Sequence, residues 1–467
     1  MSRTTILAAS LAVAALALST GNASAVGKLY RCDDLATRAE KTALNSKVYQ
    51  GDEGWFFRDS DLNAFYMYSP QTLDFLQRLR DVLKARGVTL ALMPLPPKSV
   101  LEPTHSAAAT ADGDVMFDPT FAREQFAGLV TALRAAGLAT ADVLAAVDAD
   151  SGAVPGDYFF ARDIHWRPRL ADVSARAVAS LLLGVDPTIG GSKTFTTVDT
   201  GAAMNESNTN AIFGQLCADP VPPESFEVYR TEQADQSATD FLGDGDAAPP
   251  VDLIGTSFTD EAKPYNFTGF LRQALSSDVA AYSMSGGGVD TALYKWAHEG
   301  RAARDGLKAL IWELPYPERL EAVSVPLERQ VVPAIVGACA GTANELGKVD
   351  YAVANEQAAT LSLPATLAVH GNGYYVAATL SDGAAASFTL SFDYRDGRQD
   401  ILPLIRPDRV SALSSLFGEV SPDIDADLAG ITLTNRSGLA VGGTLSFCQY
   451  PAGLWQADTT TTGKASS

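Results

Sequence analysis

Histidine, cysteine and positive charge are all scarce in this chain of 467 residues. It has four His and four Cys, and its 35 Lys and Arg face 55 Asp and Glu, for a formal net charge of −20. So acidic a chain has no general attraction for nucleic acid or an anionic membrane surface, and neither is expected as its main partner. The cysteines, Cys32, Cys217, Cys339 and Cys448, stand far apart. No pair has the close spacing of a zinc motif, so a metal site is the weaker reading of them. A Gly-rich phosphate loop is missing, and so is any internal repeat. Beyond the N-terminal region no run approaches the ~20 apolar residues of a spanning helix.

The N-terminal residues "MSRTTILAASLAVAALALSTGNASA" read as a secretory leader. Arg3 gives the positive start, residues 6–18 a short apolar stretch, and Ala23-Ser24-Ala25 a small-x-small cleavage site, which predicts export with cleavage after Ala25. Export means an oxidising compartment, here the periplasm, in which the four cysteines are expected to pair. Three pairings are open. Clustering along the chain favours Cys32–Cys217 and Cys339–Cys448, one staple per domain. Hydrophobic residues make up 46% of the chain, enough for sizeable cores.

The expected division is a leader at 1–25, a catalytic domain at 26–325, a linker at 326–340, a second domain at 341–456 and a polar tail at 457–467. In the first domain, "SPQTLDFLQRLRDVLKARG" reads as a helix with Ser69 as N-cap, Pro70 in its first turn and Gly87 at its stop. "VTLALMPLP" follows as a buried strand, and "DPTFAREQFAGLVTALRAAG" repeats the helix pattern. Residues 187–250 are polar and read as loops with short edge strands. Alternation resumes with "VDLIGTS", "NFTGFLRQALS", "DVAAYSM", "VDTALYKWAHEG" and "LKALIWELP". Strands alternating with helices predict a doubly wound parallel sheet in an α/β fold. After residue 340 short alternating runs between Gly, Asp and Asn turns predict an all-β sandwich.

Two stretches carry chemistry. "VDLIGTSFTD" is an apolar strand ending in Gly-Thr-Ser, which places Ser257 at a strand's carboxyl end, where open parallel sheets bind ligands. Gly255 is expected to let the backbone turn tightly there. A nucleophilic Ser also needs a base to take its proton. "RDIHW" offers His165 as that base, with Asp163 two residues earlier as the carboxylate that fixes its tautomer. A turn serine and a turn histidine are the plainer accounts of each motif alone. Only together, in one α/β domain, do they indicate a Ser-His-Asp site.

These segments resemble the alginate O-acetyltransferases of the AlgX/AlgJ type, which are SGNH-hydrolase-like. "GDYFFARDIHWRPRLADVSARAVA" is similar to their D-x-H segment, "LIGTSFTDEAKPYNFTGFLRQAL" to their G-x-S segment, and "GDEGWFFRDSD" to the opening of the domain. The resemblance covers residues 29 to about 325, and the C-terminal β domain and cysteine layout are closer to AlgX. It implies Ser257 as nucleophile, His165 as base, Asp163 as orienter, and a carbohydrate-binding module at the C-terminus. It also implies an exopolysaccharide acceptor, a membrane-bound acyltransferase system as acetyl source, and no metal or organic cofactor. For the oxyanion, the Ser257 amide and Gly286 or Gly287 of "YSMSGGGVD" are candidates. Tyr316 and Arg319 follow a strand's carboxyl end, and Tyr394, Arg395 and Arg398 surround a turn of the β domain; all five are candidate polysaccharide contacts. Tyr374 and Tyr375 join them as aromatics of that domain. Asn266 is expected to cap the helix it opens, and His298 to complement a helix C-terminus. His105 and His370 are expected in loops or turns. An esterase with the same triad, and a polysaccharide-binding export scaffold without catalysis, are competing readings.

Overall fold

The computed structural model describes residues 27–111, 113, 115–234, 248–363, 367, 373–381, 387–421, 424 and 426–454. The expected leader, the expected tail and His370 lie outside them.

Five parallel strands form the central sheet, in the order Ala139–Thr140, Thr89–Pro94, Ala309–Leu314, Val251–Ile254 and Val279–Ala281. Their side chains alternate between two cores, as a pleated strand requires. Leu90, Leu92, Leu310 and Trp312 enter one core, with helices Pro70–Lys84, Pro119–Ala135, Thr291–His298 and Leu320–Val336. Ala91, Met93, Val251, Leu253, Ala309 and Ile311 enter the other, with helices Pro168–Val185 and Phe267–Leu275. Helices on both faces make the sheet doubly wound. The helix ends follow local chemistry. The Ser69 hydroxyl accepts from Thr72 N, and the Asp118 carboxylate accepts from Thr120 N and Phe121 N. Gly87 and Gly137 adopt φ of +75°, which stops the helices before them.

Two expectations give way. Residues 187–250, read as loops with short edge strands, hold long strands instead: an antiparallel ribbon of Phe195–Asn205 and Glu224–Gln233, with helix Asn208–Leu216 between. One face of the ribbon is exposed and most of the other is only half-buried, Phe226 excepted, so its apolar alternation is weak. The expected linker at 326–340 is helical up to Val336, within the single helix Leu320–Val336. This helix packs against helix Pro70–Lys84 and strand Ser415–Glu419. Arg78 pairs with both Glu328 and Glu419, and Arg329 donates to Asp400 and to the Glu419 carbonyl. Its two prolines and changed composition disguised an interface as a connector.

The C-terminal region is all-β. Two four-stranded antiparallel sheets pack together, with strand orders Glu345–Val353, Val441–Gln449, Tyr374–Leu380, Ser415–Glu419 and Ala358–Leu361, Leu428–Asn435, Ser387–Tyr394, Gln399–Ile405. Disulfides join Cys32 to Cys217 and Cys339 to Cys448. No helix among the described residues is long and apolar enough to cross a membrane.

Candidate active site

All five strands of the central sheet run parallel, so their carboxyl ends share one edge. Strand Val251–Ile254, wholly buried, delivers Gly255-Thr256-Ser257 to that edge. The segment 158–167 reaches the same edge, where His165 meets Ser257. It is closed by Arg167 N donating to Tyr158 O at 2.7 Å, Phe160 N to His165 O at 3.3 Å, and a bridge between Phe159 and Trp166. Trp166 anchors the segment: it is fully buried, stacked on Phe267 and edge-on to Phe258. It therefore packs beneath the edge, and its indole N–H has no partner among the described residues.

These two segments bring three side chains into line. His165 Nε2 lies 2.7 Å from Ser257 Oγ, and His165 Nδ1 lies 2.9 Å from Asp163 Oδ1. With the ring proton on Nδ1 donated to Asp163, Nε2 is left to accept from the Ser257 hydroxyl. The ring is held between Phe258 and Tyr265, with centroids at 5.1 and 5.5 Å. Asp163 Oδ1 also accepts from Ile164 N at 2.6 Å, and Oδ2 from Asn205 Nδ2 at 3.2 Å. Burial pushes the Asp163 carboxyl upward. The charge of His165, with hydrogen bonds from His165, Asn205 and Ser207, outweighs burial and holds it well below the usual carboxylate range. Asp163 is thus a carboxylate at any working pH.

Two supporting residues escaped the sequence reading. Asn205 ends a strand of the unforeseen ribbon. Lys98 is buried beneath the Asp163 segment, its Nζ donating to Phe56 O, Ala161 O and Asp163 O at 2.7, 2.9 and 3.1 Å, with the Trp55 and Phe57 rings alongside. Burial lowers the Lys98 ammonium to about 8, against the opposing pull of Asp61, Glu224, Asp163 and Glu102. A lone Lys in "PPKSV" gives no sign of this.

The candidate oxyanion donors separate. Among the turn amides, Thr256 N donates to Glu313, Phe258 N to the Thr256 hydroxyl and Thr259 N to Thr256 O, while Ser257 N has no partner among the described residues. The loop after strand Val279–Ala281 lies alongside, with Met284 N donating to Gly255 O at 3.0 Å. Gly287 is a correction: its N–H donates to Met284 O at 3.1 Å and is already engaged. Gly286 adopts φ of +71°, and a Cβ there would come within 3.1 Å of the exposed Arg409 guanidinium from the β region. A cavity of about 190 Å³ opens beside the turn, lined in part by Thr231, Phe258, Asp260, Lys263, Tyr265 and Arg272.

The proposed polysaccharide contacts fare unequally. Tyr316 is half-buried, its hydroxyl 3.1 Å from Asp61 Oδ1, and the exposed Arg319 lies 4.6 Å over its ring. Tyr394 is buried in the sandwich core and has no face for a sugar, because its strand position points inward. Tyr375 is buried too, donating to Gly337 O at 2.8 Å, whereas Tyr374 is half-buried. Arg395 and Arg398 are exposed at the hairpin tip, where Arg398 pairs with Asp396. Three further expectations shift. Asn266 holds the N-cap position, but its amide donates to Thr231 Oγ1. His298 is half-buried, stacked on Tyr294, and desolvation lowers it to about 4, so it is neutral and adds no charge to its helix end. His105 is buried in the short helix Pro103–Ala109 and paired with Asp52. No group of three or more His, Cys, Asp and Glu among the described residues is placed to hold a metal ion.

Residues 48–316, more than half of the chain, match the family described as "SGNH hydrolase-like domain, acetyltransferase AlgX". The chain belongs to that family. It is 27% identical over 409 residues to the alginate biosynthesis protein AlgX of Pseudomonas aeruginosa, covering 84% of this chain and 83% of the relative. It is also 27% identical over 281 residues to a probable alginate O-acetylase AlgJ of Pseudomonas syringae pv. tomato, covering 57% of this chain and 68% of that one. Among solved structures, Pseudomonas aeruginosa AlgX superposes with a TM-score of 0.72 at 22% identity, over 89% of this chain and 98% of that chain. The shared fold therefore includes the all-β region as well as the parallel sheet.

Proposed function

We propose that this protein is a periplasmic O-acetyltransferase that acetylates hydroxyls of an exported polysaccharide, alginate or a polymer like it, through an acyl-enzyme on Ser257. The observation that carries the reading is the unbroken line Ser257–His165–Asp163, with contacts of 2.7 and 2.9 Å, at the carboxyl edge of the sheet. Ser257 Oγ attacks the donor's acetyl carbonyl while its proton passes to His165 Nε2. The tetrahedral oxyanion takes the Ser257 N–H, and collapse expels the donor's leaving group, which receives the proton from His165. A sugar hydroxyl then gives its proton to His165 and attacks the acetyl carbon. Ser257 Oγ leaves and regains the proton, and the sugar carries the new ester. Asp163 keeps the ring in one tautomer and offsets its positive charge in both halves.

A polyanionic acceptor must overcome a net charge of −20. Arg319 and Arg409, both exposed and both near the carboxyl edge, supply cations where a polymer would cross from the sheet to the sandwich. Arg395, exposed at a hairpin tip of the sandwich, is a further cation for the polymer, and the sandwich serves as the carbohydrate-binding module that keeps the polymer close. The acetyl source is a membrane-bound acyltransferase system that reaches Ser257 from outside the sheet edge.

The test is acetyl flux from a chromogenic acetyl ester, with and without deacetylated alginate oligosaccharide. Acetylated oligosaccharide, made at the expense of free acetate, supports the transferase. Acetate release that ignores the acceptor identifies an esterase instead. If Ser257→Ala leaves polymer acetylation unchanged in cells, a non-catalytic export scaffold replaces both.

A further inference from the structure

Glu313 has no part in the proton path, yet it lies directly beneath the turn that carries Ser257. It is the fifth residue of strand Ala309–Leu314, has no exposed surface, and stands beside Met93 of the neighbouring strand. A carboxyl is an unfavourable choice for such a position unless its hydrogen bonds are used. Here they are. Oε2 accepts from Thr256 N at 2.7 Å, Thr256 Oγ1 at 3.1 Å and Thr259 Oγ1 at 3.2 Å. Thr259 Oγ1 also meets Ser283 Oγ at 2.7 Å, in the loop that carries Gly286. One carboxyl thus ties the start of the Ser257 turn, its end, and the adjoining loop. Among the described residues no cation faces it; burial and these hydrogen bonds are the influences on it.

Gly255 is shaped by the same contact. Its φ is not in the left-handed region, so the tight turn does not call for glycine. A Cβ there would overlap Glu313 Oε2 and lie 2.5 Å from Thr259 Oγ1. Glycine stands at 255 because the Glu313 carboxyl occupies the space of a side chain.

We infer that Glu313 is the positioning residue of the Ser257 turn: it draws the Thr256 amide and both Thr hydroxyls inward and leaves the Ser257 N–H as the turn's donor to the acyl oxygen. The inference rests on Ser257 being the nucleophile. Position, not charge, is what Glu313 contributes, because the oxygen of an amide of the same length, placed where Oε2 stands, also accepts from Thr256 N, Thr256 Oγ1 and Thr259 Oγ1. Misplacing an oxyanion donor or nucleophile by about 1 Å lowers turnover by roughly 10²-fold while leaving ground-state binding alone.

The experiment separates reach from charge. Glu313→Gln keeps the reach and loses the charge; Glu313→Asp keeps the charge and loses about one methylene of reach. Both are assayed for kcat and KM with a chromogenic acetyl ester, on protein whose fold is checked by circular dichroism. The expected result is a kcat within about threefold of the parent for Glu313→Gln and about 10²-fold lower for Glu313→Asp, with KM within about twofold in both. Gly255→Ala, which pushes the carboxyl away from the other side, is expected to match Glu313→Asp. It decides on the same criterion if Glu313→Asp does not fold. Should neither fold, Thr259→Val, which removes one donor to the carboxyl, is expected to lower kcat about tenfold. A parent-like kcat in the deciding variant overturns the inference, and so does a loss in Glu313→Gln as large as in Glu313→Asp. Ser257→Ala distinguishes the two levels. If it keeps full turnover, the nucleophile reading fails; if it is inactive while Glu313→Asp runs at the parent rate, only the role of Glu313 fails.

Discussion

Replacing Glu313 by Gln makes a second, thermodynamic prediction, independent of any substrate. Burial raises the Glu313 carboxyl from 4.5 to about 7, against the lowering effect of its hydrogen bonds from Thr256 and Thr259. The sign follows from proton counting. Between pH 4.5 and 7 the unfolded chain has released this proton and the folded protein still holds it, so stability falls as pH rises. Below pH 4.5 both states are protonated and the term vanishes; above pH 7 it is complete. At 1.36 kcal/mol per pH unit, a shift from 4.5 to about 7 amounts to roughly 3 kcal/mol lost across that window. Glutamine does not titrate, so Glu313→Gln loses nothing from this source. The assay is denaturant unfolding of both proteins at pH 4.5, 6 and 8 with the disulfides intact. Glu102, Glu318 and Glu328 are also raised to about 7, chiefly by burial, and tilt the parent curve the same way. They are present in both proteins and cancel in the difference. The stability of Glu313→Gln minus the parent should rise by about 3 kcal/mol from pH 4.5 to pH 8. Parallel pH dependences would refute the account of Glu313 as a buried carboxyl without a facing cation.

Other residues make sharper kinetic or structural predictions. Asp163→Asn can present its amide NH2 to His165 Nδ1, which forces the ring proton onto Nε2 and removes the acceptor for Ser257. Ester turnover should fall by about 10²–10⁴-fold with the fold intact, and a loss below tenfold contradicts the tautomer role. Lys98→Met leaves the Phe56, Ala161 and Asp163 carbonyls without their donor. It should lower stability by roughly 3 kcal/mol in a thermal melt and lower kcat with it; a parent-like melt contradicts the tether. Removing the Cys339–Cys448 bridge, which spans 109 residues, should reduce stability by about 4–5 kcal/mol in the chain-entropy treatment, measured by denaturant unfolding. An unchanged midpoint would show that the sandwich is held by its core alone.

What the sequence made legible, and what it hid, follows from where each signal resides. The capped helix that begins at Pro70 could be read from Ser69, Pro70 and Gly87, because helix ends are local chemistry. The site could be assembled from "RDIHW" and "GTS" because each sits next to a regular element that the apolar pattern already placed. The Phe195–Asn205 ribbon could not, since strands with one exposed and one mostly half-buried face leave little alternation, and with it went Asn205 as a partner of Asp163. Tyr394 and Tyr375 stood as candidate sugar contacts because period-two alternation does not say which face is inside. His298 looked charged because its desolvation, with Phe417 of the β region against its ring, is a long-range fact. Glu313 did leave a trace. An acid in the middle of "LIWELP" breaks an otherwise apolar strand, and a polar residue at a core position is the more informative kind of exception. Its purpose became visible only when strand pairing put it under the turn after Ile254.

The central claim is that acetyl passes through Ser257. Rapid-quench intact-mass analysis of the protein with an acetyl ester, followed by peptide mapping, tests it directly. The account predicts one acetyl group on the peptide containing Ser257, formed before product, absent in Ser257→Ala, slow to form in His165→Ala, and discharged when an acceptor polysaccharide is added. Acetylated polysaccharide formed at the parent rate by Ser257→Ala, or an acetyl group trapped on another residue that is discharged at the rate of product formation, would contradict it.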